Sequence, residues 1–428
     1  MRSRLLAGAI LAGAALVGWL SVTSLLVARL LQAAILLSLM YVGYLSWRGW
    51  MMMRRAMKAD ISASPDALPF LSVVVPAANE AGVIAALVND LAAQDYVGRL
   101  ELVVVDDGST DDTGRLAASV GPSDLRVLRR EAGEGPATKG AVLAWSHAHL
   151  SGEVIGVLDA DSRLEPGFLT AAVAAWQRDS GAAALQVQRR AANRGAGWLA
   201  AAQDEEQLMD MASQCGRWAT DGTAELRGNG MFVRRKALEA VGGWDPEALT
   251  EDLDLSTRLT TAGERVTLAP DVPLAEQAVL RASDLWRQRM RWAEGSLRRL
   301  IERGPALVAN GALPFGRRLD FVLFIGEFLI PPVFVAAIVA SLITIPLPVP
   351  ANWTVPVALF VGYGMGTYLL ALAGLAAQSG EGGPIRTLGR ATRGALFLSH
   401  WLLVVPAALL RITFGPSRGT FVRTPRSR

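Results

Sequence analysis

Residues 5–47 form an almost unbroken apolar stretch, interrupted mainly by Ser21-Val22-Thr23-Ser24 and Arg29. One bilayer-crossing helix needs about 20 apolar residues, so the stretch predicts two spanning helices joined by a tight hairpin. A secretory leader is the competing reading. It fits poorly, because the apolar run is too long and continues into a second segment. Arg2 and Arg4 precede the first helix; Arg48 and the run Arg54-Arg55-Ala56-Met57-Lys58 follow the second. Cytoplasmic flanks carry the Lys/Arg excess, so both ends of the hairpin, and the chain that follows, are expected in the cytoplasm.

From about Leu71 to Pro270 the pattern changes. Short apolar runs at 71–76, 100–106, 125–128, 154–159 and 183–188 alternate with Ala- and Leu-rich helical stretches such as 81–93 and 137–149. Fully apolar strands alternating with helices predict a buried, largely parallel sheet. Composition agrees with a mixed architecture: 51% of the 428 residues are hydrophobic, yet 19% are charged. The formal charge of +3 is small, and much of the basic excess lies beside the apolar segments. That favours a membrane surface and no nucleic acid. One cysteine, Cys215, excludes an internal disulfide, and with His147, His149 and His400 it makes no zinc-ligand pattern. A metal in this chain is expected to sit on oxygens, as Mg2+ or Mn2+ do.

Residues 282–302 read as a helix of another kind. Leu285, Trp286, Trp292, Leu297, Leu300 and Ile301 are interleaved with Arg287, Arg289, Arg291, Arg298 and Arg299. A basic helix with Trp and Leu on its other side suits the membrane interface; a surface helix of the globular part is the alternative. Two further spanning candidates follow at 319–346 and 353–377. A third apolar stretch, 394–412, contains Pro406 and Arg411. If it crossed the bilayer it would put Arg418, Arg423, Arg426 and Arg428 outside, against the charge rule. A re-entrant or interfacial segment is therefore favoured slightly over a span. The expected organisation is a hairpin at 1–52, an α/β domain at 68–278, interfacial helices at 279–316, membrane-embedded helices at 317–412 and a basic tail at 413–428.

Four polar clusters carry the candidate chemistry. The first follows two strands: Pro76-Ala77-Ala78-Asn79-Glu80 and Asp106-Asp107-Gly108-Ser109-Thr110-Asp111. Ligands of open α/β sheets bind at the carboxyl edge of the strands, where a carboxylate can accept hydrogen bonds from a uracil or ribose. An Asp/Gly turn is the plain structural alternative. The second is Asp159-Ala160-Asp161. Side chains i and i+2 of an extended segment share a face, so two carboxylates can meet one hard cation, the partner a diphosphate also needs. A strand-end turn is the alternative. Lys139 offers a positive charge near such phosphates, or is simply solvated.

The third is Thr250-Glu251-Asp252-Leu253-Asp254. Crowded carboxylates raise one another's pKa, and one of them can become a proton acceptor. Thr250 as an N-cap followed by acids that suit the helix dipole explains the same residues. The fourth is Gln288-Arg289-Met290-Arg291-Trp292. Arginine grips phosphate oxygens in a fork and tryptophan offers a flat face to a sugar or lipid; interface anchoring alone is the alternative.

In this order and spacing, the four clusters over residues 70–300 resemble the membrane-bound glycosyltransferases of family 2, which have a GT-A fold. The resemblance implies an α/β GT-A domain, a largely parallel sheet flanked by helices, with added transmembrane and interfacial helices. It implies inverting transfer from a UDP-sugar, with Mg2+ or Mn2+ held by Asp161 and Asp159. It implies donor contacts from Ala77, Glu80, Asp106, Asp107, Lys139, Asp159, Asn229, Gly230, Gln288 and Arg291. Asp252 would be the catalytic base, and Glu251 and Trp292 would face the acceptor.

A narrower resemblance is to the diacylglycerol-glucosylating enzymes of cyanobacteria. It rests on Ala184-Leu185-Gln186-Val187-Gln188, Glu225-Leu226-Arg227-Gly228-Asn229-Gly230-Met231-Phe232-Val233 and Ala240-Val241-Gly242-Gly243-Trp244, and is extended by Glu251-Asp252-Leu253-Asp254-Leu255 and Arg291-Trp292-Ala293-Glu294-Gly295. It implies glucose from UDP-glucose joined in β linkage to diacylglycerol at the bilayer. Processive polysaccharide synthesis and a ceramide-type acceptor are the rival activities. Two segments depart from the family pattern. Gly140 follows Lys139 at once instead of one residue later, and the terminal Trp-x-Lys-Thr-x-Arg element reads Phe421-Val422-Arg423-Thr424-Pro425-Arg426.

Overall fold

The computed structural model describes residues 2–59, 68–347, 353–378 and 383–415. The basic tail from 416 on, with the departed element at 421–426, lies outside the described residues. The chain divides into two compact units. One holds Met53–Gln207 and Thr223–Leu280; the other holds the N-terminal segment up to Met52, Leu208–Gly222 and the chain from Arg281 onward.

Two helices open the chain, α1 (Arg2–Thr23) and α2 (Leu25–Ala56), separated by Ser24 alone. The sheet unit then runs β1 (Leu71–Ala77), α3 (Ile84–Ala92), β2 (Leu100–Asp107), α4 (Thr113–Val120), β3 (Arg126–Arg130), α5 (Lys139–His147), β4 (Val154–Val157), α6 (Phe168–Gln177) and β5 (Ala184–Ala191). After the long helix α7 (Trp198–Trp218) come β6 (Met231–Arg234), α8 (Arg235–Ala240), α9 (Glu251–Thr261) and β7 (Val266–Glu276). The strands expected from their apolar runs are present; β6 and β7 were not expected.

The described strands form a seven-stranded sheet in the order β3-β2-β1-β4-β6-β5-β7. β1 pairs in parallel with both β2 and β4, so the strand order reverses between β1 and β4. That reversal opens a crevice at the carboxyl edge, the place where such sheets bind ligands. β6 is antiparallel to β4 and to β5, which makes the sheet mixed. Because β6 runs backwards, it starts where β4 ends: Met231 pairs with Val157. The loop before β6 is thereby delivered to the same edge. β7 is parallel to β5 and brings Glu276 there too. The core beneath is aliphatic. Leu71, Val73, Ile84, Leu87, Val104, Leu158, Leu169, Leu185, Phe232 and Leu274 are all buried in one cluster, each burial worth roughly 1.5–3 kcal/mol for a Val, Leu, Ile or Phe side chain.

The second unit continues with α10 (Ala282–Glu302), α11 (Gly304–Ala309), α12 (Phe315–Thr344), α13 (Thr354–Ala377), α14 (Pro384–Leu398) and α15 (Trp401–Phe414). Among the described residues, Ser3–Thr23, Leu25–Ala56, Phe315–Thr344, Thr354–Ala377 and the stretch Pro384–Phe414 are long and apolar enough to cross a bilayer. The last qualifies only with α14 and α15 taken together. The apolar segment expected at 394–412 is broken after Leu398, and its two parts run in opposite senses. α14 returns along α13: Ala391 packs with Ala371 and Leu375, and at its far end the Tyr363 hydroxyl donates to Leu398 O at 3.1 Å. α15 then runs back to the start of α1. Gly8 faces Thr413, and Arg4 Nη2 donates to Gly415 O at 2.5 Å. With 15 and 14 residues these helices are each about 21–23 Å long at 1.5 Å per residue, short of a hydrocarbon core of about 30 Å.

Helix α10 spans the expected residues, but its arginines do not form a purely solvated face. Met290, Ala293, Leu297 and Ile301 pack on Val404, Val405, Ala408, Leu409 and Ile412 of α15 and on Ala7 of α1. That cover buries Arg289 and Arg299. The Arg289 guanidinium stacks 4.1 Å from the Trp292 ring, and buried Glu294 takes ion pairs from Arg298 at 2.8 Å and Arg411 at 3.2 Å. Nearby, Arg217 at the end of α7 clasps Asp320 of α12 at 3.0 Å with both side chains buried. Tyr41 donates to the same carboxylate at 3.2 Å, and the Phe324 ring lies 4.1 Å from the guanidinium. Charges this far from water persist because each is paired and hydrogen-bonded.

Candidate active site

The site is built from loops at the carboxyl edge of the sheet. The loop after β1 is tied to the loop after β2: Asn79 Oδ1 accepts from Thr110 N at 2.8 Å, and Glu80 N donates to Thr113 Oγ1 at 2.8 Å. Asn79 sits at φ 56, a conformation asparagine tolerates better than most residues. Asp106 is buried; its Oδ1 accepts from Ser109 N at 3.0 Å and its Oδ2 pairs with Arg129 at 2.6 Å. Asp107 pairs with the buried Arg130 at 2.6 Å. These arginines on β3 fix both carboxylates at the mouth of the crevice beside Ala77.

Next to them lies a largely buried charge cluster. Lys139 opens α5, whose N-cap Thr138 accepts from Ala141 N at 3.1 Å. The Lys139 ammonium donates to Asp159 Oδ1 at 2.5 Å and to Gly228 O at 2.7 Å, and it lies 3.7 Å from Glu251 Oε1. The lysine is therefore an internal hub, not a solvated side chain. Gly140 makes the approach possible: a Cβ there would fall 2.5 Å from Asp245 O and 3.2 Å from the Glu251 Cβ. The immediate Lys-Gly step, a departure from the family pattern, is what lets α5 pack so closely on this chain.

The loop before β6 supplies the floor. Gly228 and Gly230 take φ 76 and φ 66, a region that favours glycine. Between them Asn229 Oδ1 accepts from Asp159 N and from the Ser162 hydroxyl, each at 3.0 Å, while its Nδ2 donates to Glu276 Oε2 at 2.8 Å. Asn229 thus locks the Asp159-Ala160-Asp161 turn to the end of β7. Asp161 is buried and its Oδ2 accepts from Gln277 N at 3.3 Å.

The acidic start of α9 completes the cluster. Asp254 is taken by Arg258 at 2.7 Å, so one of the three carboxylates is structural. Thr250 precedes the helix without a side-chain capping bond. Glu251 is buried, and burial pushes its pKa up to about 7, with Asp252 adding to the rise and Lys139 opposing it. Burial also raises Asp252, against the pull of the Leu253 N–H, Lys139, Arg227 and Arg189. For Lys139 burial lowers the pKa, but Asp159 and Glu251 outweigh it and the net shift is upward. A buried carboxylate with a raised pKa beside fixed cations is a suitable proton acceptor.

Asp106, Asp107, Lys139, Asp159, Asp161, Asn229, Gly230, Glu251 and Asp252 therefore belong to one unit and one edge of its sheet. Gln288, Arg291 and Trp292 lie on α10, in the other unit. Residues not singled out from the sequence also shape the site. Gln186 Oε1 accepts from Arg227 N at 2.7 Å and its Nε2 donates to Asn229 O at 2.8 Å. Arg227 pairs with Glu225 at 2.9 Å, and Arg189 with Glu276 at 3.5 Å. The signal for Gln186, Glu225 and Arg227 was present in the runs 184–188 and 225–233, which carried the resemblance but no assigned roles; Arg189 and Glu276 fall outside those runs.

Among the described residues, no three or more His, Cys, Asp or Glu side chains are grouped to hold a metal. Asp159 and Asp161, two residues apart on one turn, are the donor type for a cation that takes one or two protein oxygens and fills its sphere with phosphate and water.

The sequence pattern of the Glycosyltransferase like family 2 matches residues 69–295. The chain belongs to this family. As a family 2 glycosyltransferase it is 33% identical over 389 residues to a beta-monoglucosyldiacylglycerol synthase of Synechocystis, covering 86% of this chain and 79% of that one. A beta-monoglucosyldiacylglycerol synthase of Nostoc is 32% identical over 83% of this chain and 76% of its own. A mannosyltransferase from Pyrobaculum calidifontis, solved with GDP-Man and Mn2+, superposes with a TM-score of 0.56 at 22% identity, covering 89% of this chain and 99% of that chain. That likeness establishes the GT-A type of fold for this glycosyltransferase.

Proposed function

We propose that this glycosyltransferase moves glucose from UDP-glucose to the free hydroxyl of 1,2-diacylglycerol, with inversion, to give β-monoglucosyldiacylglycerol. The observation that carries the reading is the cluster in which Lys139, Asp159, Glu251 and Asp252 meet at the crevice edge, in a chain one-third identical to synthases of that name. Asp106 and Asp107, immobilised by Arg129 and Arg130, would accept hydrogen bonds from the nucleoside. Ala77 and Glu80 line the same mouth. Asp159 and Asp161 would hold Mg2+ or Mn2+, which when bound neutralises the departing diphosphate. Gln288 and Arg291 would add donors to the phosphates, and Trp292 a flat surface for the acceptor.

Asp252 would take the proton from the acceptor hydroxyl as its oxygen attacks the anomeric carbon and the C–O bond to UDP breaks. Glu251, held near neutrality by burial, would accept from or donate to the same hydroxyl and orient it. An acceptor with two acyl chains presents that hydroxyl at headgroup depth. We place the sheet unit on the cytoplasmic side, where the basic residues flanking the apolar helices are favoured.

Inverted membrane vesicles containing the protein, given labelled UDP-glucose and dioleoylglycerol outside, should form a chloroform-soluble glycolipid whose glucose is released by a β-glucosidase. Right-side-out vesicles should form none. Label in long, lipid-insoluble polymer would replace this reading with processive synthesis, and label on ceramide alone would replace the acceptor.

A further inference from the structure

In the helical unit, α13 and α14 leave a groove of about 310 Å³ between them, lined by Phe360, Tyr363, Gly364 and Met365 on one side and Thr392 and Ser399 on the other. Three of its hydroxyls are bonded to backbone carbonyls. Tyr363 donates to Leu398 O at 3.1 Å, Ser399 to Leu396 O at 2.6 Å and Thr392 to Leu388 O at 3.0 Å. With these three hydroxyls satisfied by backbone carbonyls, Tyr368 brings the remaining lining hydroxyl, and the other side chains of the lining are apolar, so the groove is predominantly apolar. Its floor is open: a Cβ on Gly364 would meet nothing within 4 Å.

The groove continues into a broad apolar surface. Phe360, Val361, Met365 and Leu396 around it are each at least half exposed, at 50%, 51%, 52% and 60%. It lies where α14 stops, opposite Tyr363, while α13 carries on toward Thr354. A helix pair of this hydrophobicity that ends part-way along its neighbour leaves space which only hydrocarbon can fill without a desolvation cost.

We propose that this groove is a binding site for one acyl chain of a bilayer lipid, seated between α13 and α14 at the tip of a re-entrant hairpin made by α14 and α15. The hairpin returns the chain to the end of the unit where α1 begins, since Gly415 is held by Arg4. With Gly415 at that end, a re-entrant hairpin agrees with the charge rule, which a fifth span would break. The site rests on the bilayer reading of these helices and is independent of the acceptor's identity.

The test uses the full chain in phosphatidylcholine vesicles doped with a phosphatidylcholine that carries a diazirine near the end of one acyl chain. After irradiation and digestion, label should be enriched several-fold on peptides covering 360–368 and 392–399 relative to the exposed Leu25, Leu26, Leu36 and Leu37 faces. Gly364→Leu, whose Cβ would meet nothing within 4 Å, and Thr392→Phe should each remove that enrichment while the protein keeps its elution volume. Equal labelling of all exposed apolar helices, meaning annular contact only, would overturn the site and leave the bilayer reading intact. No labelling of any helix would overturn both.

Discussion

Asp252→Asn is expected to lower kcat by roughly two to four orders of magnitude, the range a positioned general base supplies, with UDP affinity close to that of the unaltered protein. The substitution keeps size and most hydrogen-bonding geometry. Asp252 Oδ1 accepts from Leu253 N at 2.8 Å, and an asparagine oxygen can do the same. What is lost is the ability to take a proton. Asp252 sits at the mouth of a glycine loop, since a Cβ on Gly228 would lie 3.2 Å from its Oδ2. It therefore faces the floor on which the sugar would rest. Burial raises its pKa, so kcat/KM of the unaltered enzyme should climb with pH until this carboxylate ionises, and the asparagine variant should lack that limb. Retained turnover, or a parallel loss of UDP binding, would assign Asp252 to structure or to donor binding.

Lys139→Met should damage both folding and function, by a different route. The ammonium is the shared partner of Asp159, Glu251 and Gly228 O. Removing one partner of a fully buried ion pair costs about 3–5 kcal/mol; Asp159 is a third exposed, so water offsets part of that cost here. The methionine fills the same space and offers no donor, so Asp159 loses its ion pair and Glu251 loses the cation that holds its pKa down. A fall in melting temperature and a loss of UDP affinity should appear together, and Lys139→Arg should recover part of the stability. An unchanged melting curve for the methionine variant would show that the lysine is not the hub of the site.

Much of this arrangement was legible in the sequence because strand ends and acids are local features. The runs 71–76, 100–106 and 154–159 announced β1, β2 and β4, and the sheet's reversal between β1 and β4 put Asp106 and Asp159 at one edge. Helix α10 was readable from its alternating arginines and apolar residues. What stayed hidden depends on partners distant in the chain. β6 is only Met231–Arg234, too short for a periodicity, and its antiparallel direction follows from pairing with Val157 and Gln186. Without that direction, nothing in the sequence brings Asn229 to Asp159. The burial of Arg289 could not be read either, because the cover comes from α15 more than a hundred residues later. The break of the last apolar stretch after Leu398 was likewise silent; Ser399 and His400 carry no strong helix-ending signal, and Pro406 lies within α15.

Acids scattered over more than a hundred residues are expected to make one metal-dependent nucleotide site in the sheet unit. Calorimetric titration of UDP into the purified full chain, in Mn2+ and again in EDTA, tests it most directly. Binding that is strong with Mn2+, lost in EDTA, and insensitive to the metal in Asp161→Ala is the predicted result. UDP binding that is equally tight in EDTA and unaffected by Asp161→Ala would contradict it.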